Sequence, residues 1–315
     1  MYISYYKVDS MKTKSEDMLK LIDLNPVNNI IDYEILEVFQ CDGYRRELIQ
    51  YFIHGRKNIA FLLIPDGEGK HPAVLINHQH NRERNLGKSE VCGLAGNPLQ
   101  AFGAALARKG FVVIAPDSLC FEDRRVNASG IDKNDEDDDW QHFLTMCYGI
   151  LTGQTLAKTV IEDAMGAISV LNGLDCVDSN KIGCLGHSYG GNTTIYLSAF
   201  DKRIHYACAS GSAVTFRNRM ENNVGIEMAS VIPNFMKYYD IDDVVCEICP
   251  TKFLIVSATE DKYSKDAMDI YKKAKIEYEK CNLGHQLNIK QYEGEHALTL
   301  ERFNYIVDWI SEAAK

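Results

Sequence analysis

One serine, set between glycines in Gly186-His187-Ser188-Tyr189-Gly190, carries the sharpest chemical signal in the chain. A serine hydroxyl attacks a carbonyl carbon only when a base removes its proton and fixed donors stabilise the oxyanion. The bare pattern G-x-S-x-G recurs by chance, so its setting decides what it means. Here the apolar run Ile182–Leu185 leads into it, and a helical stretch, Asn192–Phe200, leads out. Strand, sharp turn and helix is the arrangement that lifts a serine clear of a sheet edge. The flanking glycines suit a turn with no room for neighbouring side chains. The positive end of the following helix favours developing negative charge.

The partners of such a serine follow it in the chain, an acid first and then a histidine. Three histidines remain after residue 188: His205, His285 and His296. His205 and His285 each stand before an apolar run, at the entry end of a strand. His296, in Glu293-Gly294-Glu295-His296, follows the last apolar run and lies at the exit edge with Ser188, so it is the expected base. The acid should leave the preceding strand, and Phe253–Ala258 runs into Thr259-Glu260-Asp261. Asp261 and Glu260 are both candidates, with Asp261 at the usual distance past the strand. Its expected task is to orient His296 and stabilise the imidazolium.

Two backbone N–H groups should face the oxyanion. Tyr189 supplies one as the residue after the nucleophile, and the loop after Pro72–Asn77 supplies the other. Gln79 is the expected donor there, with His80 next in line. His80, Cys120, Arg124 and Trp140 are expected to line the substrate crevice, Arg124 or Arg125 by gripping a carboxylate. An internal ion pair with Glu122 or Asp123 is the competing reading for these arginines. Trp140 and Tyr148, with Phe216 and Phe235, could make an apolar pocket or simply pack inside two insertions. His78 and His80 stand two apart with no third ligand in view, so no metal is expected.

These residues need a scaffold that presents strand ends along one edge. Ile35–Gln40, Leu48–His54 and Ile59–Ile64, separated by turn signals, read as an antiparallel meander. The pattern then changes to short unalternating apolar runs: Pro72–Asn77, Phe111–Ala115, Ile182–Leu185, Tyr206–Ala209 and Phe253–Ala258, with a weaker one at Ile289–Tyr292. Such runs suit strands buried on both faces of a parallel sheet. Helical patterns at Pro98–Arg108, Leu156–Leu171, Lys265–Cys281 and Leu298–Ala313 lie between them. The expected fold is therefore α/β, a mostly parallel central sheet with antiparallel N-terminal strands and helices on both faces. Segments 118–155 and 212–249 break the alternation and read as insertions after the strands ending near 115 and 210. Residues 1–34 read as a helical arm, and 35–315 as one catalytic domain.

Composition narrows the function. The chain has 315 residues, 46% hydrophobic and 25% charged, which suits a large globular core. Its formal charge of −10 argues against nucleic-acid partners. Much of that charge sits at Asp132 to Asp139, read as a solvated loop. No run is long and apolar enough to span a membrane, and no secretory leader stands at the N-terminus. The 10 cysteines form no dense framework, and Cys246 and Cys249 lack a second pair for zinc. A cytoplasmic protein with reduced thiols is the expectation. Oligomeric state is open, a homodimer being one arrangement.

The stretches HPAVLINHQHN (71–81), GFVVIAPDSLCFEDRR (110–125), DSNKIGCLGHSYGGNTTIYLSAFDKRI (178–204), FLIVSATED (253–261) and GEHAL (294–298) resemble α/β-hydrolases of the dienelactone hydrolase-like group and acetyl xylan esterase-like relatives. The resemblance spans most of residues 45–315. It implies a Ser–Asp–His triad carried by Ser188, Asp261 and His296, and no cofactor. Dienelactone hydrolases proper have cysteine as nucleophile, whereas Ser188 stands here, which favours a general carboxylic ester hydrolase on a small or medium ester. A peptidase or amidase would use the same triad, and a non-catalytic binding protein is the remaining rival.

Overall fold

A computed structural model describes residues 14–315, apart from the side chains of residues 135 and 136. Of the expected arm, residues 1–13 lie outside the described residues. The remainder opens with α1 (Lys14–Ile22), followed by β1 (Tyr33–Cys41), β2 (Tyr44–Ile53), β3 (Arg56–Pro65) and β4 (His71–Asn77). Next come α2 (Lys88–Val91), α3 (Phe102–Arg108), β5 (Val112–Pro116), α4 (Asp135–Leu151) and α5 (Leu156–Asn172). The second half holds β6 (Val177–His187), α6 (Tyr189–Phe200), β7 (Tyr206–Ser210), α7 (Phe216–Glu221) and α8 (Ile241–Cys246). It ends with β8 (Lys252–Ala258), α9 (Ala267–Lys280), β9 (Leu287–Tyr292) and α10 (Leu300–Ala313).

The strands form one sheet in the order β1-β2-β3-β5-β4-β6-β7-β8-β9. Pairings from β1 to β5 are antiparallel, and those from β5 through β9 are parallel. Alternate residues of the central strands feed two cores. Ala73, Leu75, Val112 and Ile114 face α5 and α6. Val74, Ile76, Val113 and Ala115 face α3 and α10, where Phe102, Leu106, Ile306 and Ile310 meet them. Burial on both faces explains why these strands read as unbroken apolar runs. Each valine, leucine, isoleucine or phenylalanine among them contributes about 1.5–3 kcal/mol of transfer free energy, so the strand ends are held on a stiff base. Met18 and Ile22 of α1 are buried in the same core as α5 and α6.

The acidic run is a correction to the sequence reading. Instead of a solvated loop, its second half is the first turn of α4, and Asp138 is buried against Arg125, with Nη1 donating to Oδ2 over 2.6 Å. The ion pair replaces the water that the carboxylate would otherwise require. Insertion 118–155 is thus largely helical, and insertion 212–249 carries the short helices α7 and α8. Pro98–Gln100 forms a separate 3-10 turn before α3, with the Asn97 side chain accepting from Leu99 N–H.

Candidate active site

Ser188 occupies the turn between β6 and α6 with φ 55° and ψ −119°. A residue with a Cβ rarely adopts this region, and here it presents the hydroxyl above the sheet edge. The turn is as tight as the glycine pattern implied. A Cβ on Gly186 would lie 2.1 Å from Gly190 O, and one on Gly190 would lie 2.0 Å from Asn77 O. The helix starts at Tyr189, three residues earlier than its apolar pattern suggested, so its N-terminus begins immediately after the serine. Ser188 N–H donates to Ser210 O over 2.8 Å, which ties the turn to the end of β7.

His296 and Asp261 reach Ser188 from the neighbouring strand ends. His296 Nε2 lies 2.8 Å from Ser188 Oγ, and its Nδ1 lies 3.0 Å from Asp261 Oδ1. Backbone bonds join the two loops, from Thr259 N–H to Tyr292 O and from Glu260 N–H to Gly294 O, each 2.9 Å. Asp261 is buried and also accepts from Tyr263 N–H at 2.8 Å and Ser264 Oγ at 2.7 Å. Burial alone would raise its carboxyl, but the bond from His296 and these two donors outweigh it and hold the group below its ordinary range. The alternative acid, Glu260, is exposed.

Three further residues surround His296; only His187 belongs to the motif, and the motif does not announce its role. Arg302, buried on α10, donates through Nη1 to Glu295 O and Ala297 O and through Nη2 to Glu293 O, over 2.7–2.9 Å. His187 stacks its ring on that of His296, with centroids 4.9 Å apart. Burial, then the neighbouring His296, pushes the His187 ring down to about 3, so it is neutral. Gly211, at φ +61°, lets the chain pass so close that a Cβ would sit 2.9 Å from a carbon of each ring.

The hydroxyl opens into a cleft of about 360 Å³. Gln79, His80 and Tyr189 line it, as the sequence anticipated, along with Arg84, Arg219 and Glu227. The Gln79 side chain donates to Glu90 Oε1 at 3.0 Å. Arg82 N–H donates to His80 Nδ1, so the ring proton is on Nε2, 3.2 Å from Glu227 Oε2. Burial, then Arg84, His78 and Arg82, push His80 down to about 3 and keep it neutral.

Other expected crevice residues lie elsewhere. Arg124 is buried with Nη2 on Asp163 Oδ2 at 2.8 Å and Nη1 on Asp117 O at 3.1 Å, so it is an internal ion pair with a partner distant in sequence. Cys120 is buried, its Sγ 3.5 Å from Thr145 Oγ1. Trp140 stacks on Phe143 on the outer side of α4, 55% exposed, and Tyr148 is exposed as well. Phe216 and Phe235 are packed in the core. Of the two readings for these aromatics, packing inside the insertion holds for Phe216 and Phe235, whereas α4 turns Trp140 and Tyr148 outward.

Asp117, Glu122 and Asp123 gather as a divalent cation site might, but the buried Lys88 ammonium bonds all three, at 2.8, 2.5 and 2.6 Å. These charges hold Lys88 protonated against the opposing effect of burial. The network ties α2, in the segment after Gln79, to the loop after β5. That loop's Ser118 N–H donates to His78 Nε2, and its Oγ meets Tyr189 OH at 2.6 Å.

Comparison with known proteins agrees with this architecture. The dienelactone hydrolase family model matches residues 60–210, and the prolyl oligopeptidase family model matches residues 152–280. The chain is 24% identical to "Putative hydrolase YtaP" of Bacillus subtilis (strain 168) over 260 residues, 79% of this chain and 81% of that protein. A structure described as a putative acetyl xylan esterase from Bacteroides fragilis NCTC 9343 superposes with a TM-score of 0.73 at 15% identity, covering 88% of this chain and 73% of that one. A glucuronoyl esterase from Solibacter usitatus gives 0.66 at 13% identity, covering 96% and 92%. The fold expected from the sequence, an α/β-hydrolase, is the fold of these proteins.

Proposed function

We propose that this α/β-hydrolase, dienelactone hydrolase-like in sequence, is a serine esterase that cleaves a small carboxylic ester through an acyl-enzyme on Ser188. The observation that carries this reading is the continuous line Ser188 Oγ, His296 Nε2, His296 Nδ1, Asp261 Oδ1, with gaps of 2.8 and 3.0 Å. His296 takes the Ser188 proton as Oγ attacks the ester carbonyl. The N–H groups of Tyr189 and Gln79 receive the oxyanion. Asp261 accepts the Nδ1–H and stabilises the imidazolium without taking its proton. The imidazolium then protonates the leaving alkoxide. Water, deprotonated by His296, attacks the acyl-enzyme to give the free acid and restore Ser188.

The charged and polar side chains that line the cleft, Arg82, Arg84, Arg219 and Glu227 among them, favour a short acyl group over a long apolar one. The neighbours named as acetyl xylan and glucuronoyl esterases support an ester over an amide. The prolyl oligopeptidase match over 152–280 favours a second reading, amide cleavage by the same residues. Rates on 4-nitrophenyl esters from acetyl to decanoyl, set against 4-nitroacetanilide, separate the two. The ester reading expects fastest turnover at acetyl or propionyl and negligible anilide cleavage. Faster anilide cleavage would overturn it. The composition supports a cytoplasmic setting, and no helix among the described residues is long and apolar enough to cross a membrane.

A further inference from the structure

The end of the sheet away from Ser188 departs in charge from the rest of the molecule. The chain carries −10 overall, yet a cavity of about 540 Å³ opens there with Lys181, Lys202, Lys252, Lys315 and His205 on its wall and no aspartate or glutamate side chain. It lies where the parallel ladder of β6, β7 and β8 begins, at Gly183, Tyr206 and Lys252, beside the last turn of α10. A second hollow of about 410 Å³ adjoins it, sharing Lys181, Ala314 and Lys315 and adding Lys109. Lys109 and Lys315 each pair with a carboxylate of α10, Asp308 and Glu312.

The other three lysines have no counter-ion. Among the described residues no carboxylate lies within 4 Å of Lys181, Lys202 or Lys252. Lys202 Nζ donates to Ala199 O at 2.9 Å and to Glu247 O at 3.3 Å, at the ends of α6 and α8. Lys252 Nζ donates to Ala313 O at 3.0 Å, at the end of α10. The Lys181 ammonium makes no hydrogen bond among the described residues. Each ammonium has three N–H donors, so all three lysines keep at least one free. Burial pushes the Lys202 ammonium below its ordinary value, and Glu247, Cys249 and Asp201 act against that without offsetting it. Capping the negative ends of helices accounts for Lys202 and Lys252, but Lys181 caps no helix. Buried Ile204 and Tyr206 line the same cavity, and an apolar wall strengthens the pull of these charges on an anion.

We propose that this cavity binds a small molecule carrying more than one phosphate group, held by Lys181, Lys202 and Lys252 at the end of the sheet opposite Ser188. Ammonium groups are compact point charges with rotatable donors, and they meet the oxygens of a tetrahedral phosphate from several directions. Three of them on one wall match a ligand with several negative charges. The volume is that of a small-molecule site. The three lysines stand on β6, just past α6 and at the start of β8. The other ends of those elements carry or adjoin Ser188 and Asp261. A bound polyphosphate therefore ties together the far ends of the elements that hold the triad, and it should stabilise the fold.

Titration calorimetry at low salt with pyrophosphate, ATP, inorganic phosphate and citrate tests the site, citrate being a carboxylate of charge similar to pyrophosphate. Pyrophosphate or ATP should bind the wild-type protein roughly tenfold or more tighter than inorganic phosphate and citrate. The tighter ligand should also raise the melting temperature and lose most of its affinity in 0.5 M NaCl. Tighter binding of ATP assigns a nucleotide, tighter binding of pyrophosphate a free phosphate chain, and either upholds the proposal. Lys181→Glu should weaken that ligand roughly tenfold or more. The ammonium has no partner to lose, so the fold should persist. Should the reversed charge disturb it, Lys181→Gln replaces it, with a loss of roughly threefold or more. Arg219→Met, in the cleft beside Ser188, should leave the affinity unchanged. The proposal is overturned by absence of binding to folded wild-type protein, by citrate binding as tightly as pyrophosphate and ATP, by unchanged affinity in the Lys181 variants, or by a loss confined to Arg219→Met.

Discussion

At the residue scale, the account turns on how His296 is used. Asp261 faces its Nδ1, so replacing Asp261 with Asn puts an amide where a carboxylate accepts, and the ring loses its hold on the tautomer that leaves Nε2 free for the Ser188 proton. Asp261→Asn should therefore lower kcat by about 1,000-fold or more with little change in KM or in the melting temperature. A variant with near-normal kcat would remove Asp261 from the mechanism. The order of Ser188, Asp261 and His296, each just past a strand, is legible in the chain because strand ends and chain order are local features. Arg84, Arg219 and Glu227 are not legible, since Arg219 and Glu227 reach the cleft only when the insertion after β7 folds back over Ser188. Arg124 misleads for the same reason: its partner Asp163 lies on α5, and no local pattern announces an ion pair across 39 residues.

At the scale of elements, the sheet is legible because burial on both faces leaves unbroken apolar runs, and all nine expected strands are present within a few residues of their sequence bounds. Helix α4 is hidden because a cluster of acidic residues at its start masks the apolar spacing further on, and only the buried pair of Asp138 with Arg125 shows why the segment folds inward. The loop between β9 and α10 gives a direct test of how an element positions chemistry. Arg302 gathers three carbonyls around His296 from the first turn of α10. Arg302→Met should lower kcat roughly tenfold or more, because a small displacement of the base disrupts attack. The fold should persist by circular dichroism, and Ser188 should keep its reactivity toward small phosphonylating reagents better than toward esters. Unchanged kcat would make Arg302 a stability residue only.

At the scale of the whole molecule, acid should weaken the fold well before its carboxylates protonate. Burial holds His78 down to about 4 and His80, His142 and His187 down to about 3. In the unfolded chain each would titrate near 6.5, so between roughly pH 6.5 and 4 the unfolded state binds more protons than the folded one. Stability is fully present above that window and falls as pH drops through it, each ring adding up to about 1.4 kcal/mol per pH unit. Urea unfolding at pH 7, 6 and 5 should show a steep loss, shallower in His142→Phe, which removes a ring with no partner for either nitrogen. A flat profile from pH 7 to 5 would contradict the buried neutral assignment. The net charge of −10 conceals the opposite sign at the cleft, since composition averages over a surface while folding sorts it.

The central claim is that Ser188 carries the acyl group, and rapid-quench mass spectrometry on 4-nitrophenyl acetate tests it most directly. The account predicts a transient mass gain of one acetyl group on the peptide containing Ser188, a matching burst of nitrophenol, and loss of both in Ser188→Ala that folds normally. Turnover at the wild-type rate in that variant, or an acetyl group found on another residue with kinetically competent rates, would contradict it.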